Sequence, residues 1–494
     1  DLRFEKSLWE IDMSVFTDKR VFGIKRKNAS GLSTAGQVCA NDIILWVIFL
    51  LPVSIVLHGA GQCFVAIGLF AGNVIGWIFL SKRMNSYVEI SKKKIHNAPE
   101  LFAARYDSWL LKDIVSVIWI VTLGLILVSV LKVIVSVAAY FMNMDEWICM
   151  AIIVAFLVFA TILIDNRLMG IIKTVVFILV IIACFVMIGL VFYRMDVWEI
   201  LDNYRRARLS GGTSTYLNIL YYDGDTVNAG SAVSMAGVGL GCIAMPLMYK
   251  GVINIQNVKE LDAGRIWAIV FEGFTIISSC ALALLVVPVL YPGRISAYMN
   301  SFQVYNLMLK RLLGENEHAD IIRLVVLMIF ILAVVVMLES FMRTICEHIR
   351  GIVPSIKKAG RGLKLAIDIT VVVLTGVILL AFGIFVEYDR ERMITLSWGM
   401  CTAALAAPLM LSLMYRHSTK AGVYVGIISG MASFIVWNFI SLIHGETLKA
   451  YLDLSGDVAG FAVSFILTVL VSVCTRKNSE EELKDFDRMV EEQR

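Results

Sequence analysis

The chain has 494 residues, 59% of them hydrophobic and 17% charged, with a net charge of +4. Its mean hydropathy is +0.79, and an ordinary soluble domain carries about 25% charged residues. Apolar surface on this scale must face lipid, which excludes a soluble enzyme, a nucleic-acid module and a disordered scaffold in favour of a polytopic membrane protein. With 7 prolines and 35 glycines, and no succession of alternating strands, the spans are expected to be helices and not an outer-membrane barrel.

A helix crosses the ~30 Å hydrocarbon layer in about 20 residues. Twelve segments qualify: 33–60, 62–82, 112–141, 147–165, 169–193, 231–250, 265–291, 320–350, 364–387, 392–415, 420–443 and 457–475. The third and eighth exceed the length of a crossing, so tilt or protrusion is expected. Placing the N-terminal segment in the cytoplasm puts most of the 44 Lys and Arg residues inside, as the positive-inside rule requires. Inner loops hold Lys82, Arg83, Lys92, Lys93, Lys94 and Arg105, whereas the outer turns 58–62 and 141–145 hold no Lys or Arg. The expected organisation is a cytoplasmic segment 1–32, a first five-helix block 33–193, an extracellular loop 194–230, a second block 231–415, two further helices over 420–475, and a cytoplasmic tail 476–494 read as a short solvated helix. The expected location is a prokaryotic cytoplasmic membrane. The nine cysteines form no CxxC pair and sit almost entirely in apolar runs, so they read as buried free thiols.

Spans 1 and 6 are interrupted. The first opens Gly31-Leu-Ser-Thr-Ala-Gly-Gln-Val-Cys-Ala-Asn-Asp42, with Pro52 further on, and the sixth contains Gly237-Val-Gly-Leu-Gly-Cys-Ile-Ala-Met-Pro246. Glycine and proline weaken helices and free backbone groups. A membrane tolerates such groups only against protein or a water-filled cavity. Both blocks open with Ala-Gly, at Ala35-Gly36 and Ala236-Gly237. Five spans per block invert the second copy, the pattern of a secondary transporter with its site near the midplane. Glycines that merely permit close helix packing are the alternative.

At these residues the chain resembles the sodium:solute symporter family, nearest its sodium/proline symporter branch. Ala40-Asn-Asp-Ile-Ile-Leu-Trp46 with Leu51-Pro52 resembles the family's first core helix, and Ala66-Ile-Gly-Leu-Phe-Ala-Gly72 with Trp77 the second. Ala98-Pro-Glu-Leu-Phe-Ala-Ala-Arg-Tyr106 is similar to the motif before the third, and Gly237-Val-Gly-Leu-Gly241 with Pro246 to the sixth. Asp262-Ala-Gly-Arg265 sits where the family has a similar stretch. The resemblance implies an all-α membrane protein with a five-plus-five inverted-repeat (LeuT-like) core plus two C-terminal helices. It implies alternating-access symport of a small, polar, amino-acid-like solute, and one more N-terminal helix ahead of the sequence given. Solute contacts would fall at Asp42, Ile44 and Leu45 of span 1 and at Val238, Cys242 and Pro246 of span 6. The proline-transporting branch has aromatics at Val238 and Cys242 and small or hydroxyl residues at Ile44 and Leu45, so this chain departs from it there.

The coupling ion implied is Na+, with H+ as the other candidate and no further cofactor. The family's sodium site would use carbonyls of Ala40 and Ile43 and an eighth-helix set at Val334, Met337 and Leu338. A hard cation needs oxygen ligands, and these side chains supply none. Ser340 lies two or three positions late, about 200–300° around the helix. Asp42, Glu339 and Lys173 are ionisable residues inside spans 1, 8 and 5, a costly and usually functional placement. In the inverted-repeat fold they would meet on the cytoplasmic side, with Lys173 or a proton on Glu339 replacing the cation. Snorkelling of Lys173 and a Glu339–Arg343–Glu347 ladder at i, i+4, i+8 are the alternatives. Lys132, Glu272 and Asp368 are further buried charges without assigned partners. No phosphate-binding loop, zinc motif or catalytic triad is present, so neither enzymatic chemistry nor ATP-driven pumping is expected. A non-transporting sensor or partner-binding protein on the same scaffold is the competing function.

Overall fold

The computed structural model describes residues 30–91, 93, 95–207, 209, 212–255, 257–293, 299–353, 361–443, 446–475 and 480–492. Of the expected segment 1–32, residues 1–29 lie outside the described residues. Ten helices are long and apolar enough to cross a membrane, twelve if each of two bent pairs is one span. In chain order these are α1 (Gly31–Asp42 and Leu45–His58, bent by 44°), α2 (Ala60–Ile90), α3 (Trp109–Met142), α4 (Glu146–Leu163) and α5 (Asn166–Arg194). They continue with α6 (Ala229–Ala244 and Pro246–Ile253, bent by 40°), α7 (Val258–Leu290), α8 (Glu317–Ile352), α9 (Gly362–Phe385), α10 (Arg390–Met414), α11 (Lys420–Phe439) and α12 (Gly456–Cys474).

Each expected span is a helix here, and the boundaries shift where polar turns prolong it. α7 starts at Val258, well before its apolar run, because Asn257 caps it by accepting from the Lys259 amide and the charged first turns stand outside the apolar stretch. α11 ends at Phe439 and not at 443: the Asn438 amide donates to the Phe434 carbonyl, competing with the helix, and 441–443 pairs with 446–447 as a short hairpin. The segment 194–230 also carries structure, with short helices Val197–Arg206 and Thr213–Tyr216 and a hairpin at 221–226.

Prolines and glycines both mark the two interrupted helices. In α1 the regular helix ends at Asp42, and Leu45–Leu50 is a wider π-type turn that leads into Pro52 near the start of the second half. A proline within a helix lacks the amide and crowds the carbonyl four residues back, and a local π-turn absorbs that mismatch. In α6, Met245 is extended (ψ 136) immediately before Pro246, the conformation that a following proline imposes. In α6 a turn at 238–239, within the expected glycine stretch, also parts Ala229–Gly237 from Leu240–Ala244, and the glycines serve close approach besides. Gly31 of α1 lies against Gly264 and the Glu260 carbonyl of α7, while Gly239 of α6 meets the Gly68 carbonyl of α2 and Gly72 of α2 meets Gly239 in turn. Each broken helix therefore crosses the second helix of the opposite block through glycine.

α1 packs on α5, α7 and α8 and is buried on nearly every side, so it is the central element. The C-terminal helix Glu480–Glu491 is not simply solvated. Leu483, Phe486 and Met489 are buried, the Arg105 guanidinium stacks 4.0 Å over Phe486, and Arg416 clasps Asp487 through two bonds of 2.7 and 2.9 Å. That clasp holds the Asp487 carboxyl below the usual carboxylate range.

The glycine crossings give a contrast in stability. Gly239→Val forces a side chain into the α2 backbone and is expected to cost about 3 kcal/mol or more. Gly124→Ala in α3, where a Cβ meets nothing within 4 Å, is expected to stabilise by about 0.5–1 kcal/mol. Thermal melting of the two purified variants in detergent checks both signs.

Candidate functional site

The site is built around the two breaks. Asp42 closes the first half of α1 and is buried, and its Oδ1 has no hydrogen-bond partner among the described residues. The same holds for Asn41 Oδ1 and, one turn on, for Trp46 Nε1. Unmet buried polar atoms are rare and costly, and three lie within six residues of the α1 break.

The carbonyls around the α6 break are not bare. Trp398 Nε1 of α10 donates to the Val238 carbonyl at 2.9 Å, and Trp119 Nε1 of α3 donates to that of Ala244 at 2.9 Å. The Tyr249 hydroxyl donates to the Ile243 carbonyl at 2.6 Å, and the Cys401 thiol lies 3.7 Å from that of Ala244. In the wide turn of α1, the Ser279 hydroxyl of α7 donates to the Val47 carbonyl at 2.6 Å, and Ser301 to that of Phe49 at 2.5 Å. Side chains of neighbouring helices thus take the place of water. The two tryptophans were missed by the sequence reading. Their signal was an indole well inside an apolar span, away from the interfacial belt where tryptophan usually sits. Trp398 also meets Trp46 edge to face at 5.4 Å, so α10 joins α1 to α6. His348 of α8 stacks on Trp119 at 5.3 Å.

Of the other expected solute contacts, Ile44, Leu45 and Cys242 are buried, with the Cys242 thiol 4.0 Å from the Leu69 carbonyl of α2. Val238 is half-buried, and Pro246 heads the second half of α6. The expected cation positions Ala40, Ile43, Val334, Met337 and Leu338 are all buried. The Ile43 carbonyl already accepts from the amides of Trp46 and Val47 at 3.0 and 2.9 Å, and Ser340 donates to the Val336 carbonyl of its own helix at 3.2 Å.

The charges next to these positions form one network. Lys173 Nζ of α5 lies 2.8 Å from Glu339 Oε2 of α8, and Arg343 Nε lies 2.6 Å from Glu339 Oε1, with all three side chains at most 9% exposed. Arg343 also donates to the Ile164 carbonyl at 3.1 Å. Lys173 does not snorkel, and the ladder stops after one rung, because Glu347 pairs instead with Lys250 of α6 at 2.7 Å. Thr174, beside Lys173, donates to the Ser33 carbonyl of α1 at 3.1 Å, which ties the charged pair to the central helix. Two of the remaining buried charges find partners of other kinds. Lys132 donates to the Val386 carbonyl and lies 4.6 Å over the Tyr388 ring, and Asp368 pairs with Arg350 at 2.6 Å.

Removing one member of such a buried set leaves an uncompensated charge, at about 3–5 kcal/mol. Glu339→Gln strands two cations facing each other, whereas Lys173→Met leaves Glu339 on Arg343. Melting temperatures in detergent are expected to fall further for Glu339→Gln than for Lys173→Met, with the double variant recovering part of the loss.

No family model matches the chain. It is 21% identical over 473 residues to a sodium/proline symporter of Haemophilus influenzae, covering 92% of this chain and 89% of that one. Among solved structures it is similar to a Na+-coupled sialic acid symporter in a substrate-bound outward-open state, with a TM-score of 0.67, 14% identity and 91% of each chain covered. It is also similar to a nucleobase-cation-symport-1 family transporter in a closed conformation with bromovinylhydantoin bound, with a TM-score of 0.50, 10% identity, 95% of this chain and all of that one covered. The broken first and sixth helices, the five-plus-five core with two further helices, and an end-to-end likeness to a symporter sequence agree: the chain is a secondary transporter that resembles the sodium:solute symporters.

Proposed function

We propose that the chain carries a small amino-acid-like solute in symport, and that fixed charge stands where the family's sodium ion would bind between α1 and α8. The solute would sit at the breaks of α1 and α6, against Asp42, Trp46 and Val238, with Ile44, Leu45, Cys242 and Pro246 shaping the wall. The observation that carries this reading is the set of unmet polar atoms at the α1 break, Asp42 Oδ1, Asn41 Oδ1 and Trp46 Nε1. A zwitterion supplies an ammonium donor for the first two and a carboxylate acceptor for the indole. Apolar Val238 and Cys242 in place of aromatics make a pocket of different shape from one selected for proline.

The reading of the ion site is supported by chemistry on both sides of it. Val334, Met337 and Leu338 offer no side-chain oxygen to a hard cation, and the Ile43 carbonyl is committed within α1. The ammonium of Lys173 and the guanidinium of Arg343 supply positive charge on Glu339 instead. We take the basic segments 82–94 and 98–106 to be cytoplasmic, following the Lys and Arg distribution, and the membrane to be a prokaryotic cytoplasmic one.

Uptake by liposomes containing the purified chain tests this. Proline and a panel of other small zwitterions are offered under imposed sodium, pH and electrical gradients. Saturable, gradient-driven accumulation that survives replacement of sodium by choline is expected, and Asp42→Asn should lower it at least tenfold. Strict dependence on sodium would remove the fixed-charge reading, and binding without flux would remove the transport reading for this chain.

A further inference from the structure

Glu272 of α7 is wholly buried, and neither of its carboxylate oxygens makes a hydrogen bond of normal geometry. Three contacts set the register of α7 along α1. The Gly31 amide donates to Glu260 at 2.6 Å, the Cys39 thiol lies 3.7 Å from the Ala268 carbonyl, and Ser279 donates to the Val47 carbonyl at 2.6 Å. Numbers rise together in both helices, so the two run parallel. Asp42 lies three residues past Cys39 and Glu272 four past Ala268, which at about 1.5 Å per residue puts both carboxyls at one level. Each feels the same neighbours: the thiols of Cys39 and Cys242 lie in the field of both carboxyls, and Glu272 in that of Asp42. Asn73 of α2 lies beside Glu272; it is buried, and its Nδ2 is likewise without a hydrogen-bond partner.

The titratable groups around this pair are Cys39 of α1, Cys242 and Tyr249 of α6, and the two carboxyls themselves. Among the described residues no lysine, arginine or histidine bears on either carboxyl. The contrast with Glu339, held by two cations, is complete. Two neighbouring negative charges without a counter-charge cannot both persist in a low-dielectric interior. A metal is disfavoured, since no group of three or more His, Cys, Asp or Glu side chains that could hold one occurs among the described residues.

We propose that Asp42 and Glu272 form a proton-binding pair, separate from the Lys173–Glu339–Arg343 network, that holds one proton while it is buried. The two carboxyls then carry a single negative charge. On the symport reading above, the solute's ammonium faces that remaining charge and its carboxylate faces the Trp46 indole: one proton from water on the entry side rides with one zwitterion and leaves to water on the exit side. Coupling to the pH gradient follows from this stoichiometry without any sodium ligand on α8.

The test reads the proton directly, without transport, so it stands or falls apart from the solute assignment. Infrared spectra of the purified chain in lipid, at about pH 7, are expected to show the C=O stretch of an un-ionised buried carboxyl. The band should shift in D2O and disappear on alkaline titration. It should be lost in Asp42→Asn/Glu272→Gln, and one of the two single variants should lose it alone. The titration of the unaltered protein keeps the proposal falsifiable if the double variant fails to fold. Absence of the band in the unaltered protein overturns the proposal, as does its survival in the folded double variant. Its replacement, on adding sodium chloride, by an ionised-carboxylate band with one bound radioactive sodium per chain would make the pair a cation site and also overturn it.

Discussion

A helix that breaks inside a bilayer must find hydrogen-bond partners for the main chain it releases, and this protein is organised around that requirement. The partners are side chains: indoles from α3 and α10, a phenol from α6 itself, and hydroxyls from α7 and from Ser301 ahead of α8. Because these donors come from different helices, the two breaks are fixed in space by most of the bundle. At the α1 break, side-chain atoms of Asn41, Asp42 and Trp46 remain unmet among the described residues, as do those of Glu272 on α7 and Asn73 on α2. On the function proposed above, recognition of a solute falls to a carboxylate, an amide and an indole, groups with more direction and more chemical selectivity than a carbonyl.

The buried charges fall into two kinds. Lys173, Glu339 and Arg343 satisfy one another between α5 and α8, and a set of this kind specifies geometry more than it adds stability. Asp42 and Glu272 have no such compensation. The first kind suits a permanent part of the structure, and the second suits a group that exchanges its charge during a cycle.

The sequence made the helices, their number and the interrupted pair legible, because apolar runs of membrane length and clustered glycines and prolines are local signals. It did not show the second use of the glycines. Gly31, Gly36 and Gly239 are contact surfaces for α7, α5 and α2, which no local pattern reveals, whereas Pro52 and Pro246 act on their own helices. Lys173 and Glu339 were recognisable as charges in apolar runs, and the resemblance brought their helices together. The pairing of Glu272 with Asp42 was not readable, since it depends on the parallel register of α1 and α7. Trp119 and Trp398 were hidden for the same reason: an indole in a span carries no mark of the carbonyl it will meet.

The crossings through glycine bring main chain against main chain, α1 on α7 and α6 on α2, with no flexible side chain between to take up slack. Neither helix of such a pair can slide or roll past the other by rearranging rotamers. The two couples should therefore travel as stiff units, and any opening of the site has to be accommodated where they lean on α3, α5, α8 and α10. There the contacts include single donors on single carbonyls, Thr174 on Ser33, Trp119 on Ala244 and Trp398 on Val238, which can let go one at a time.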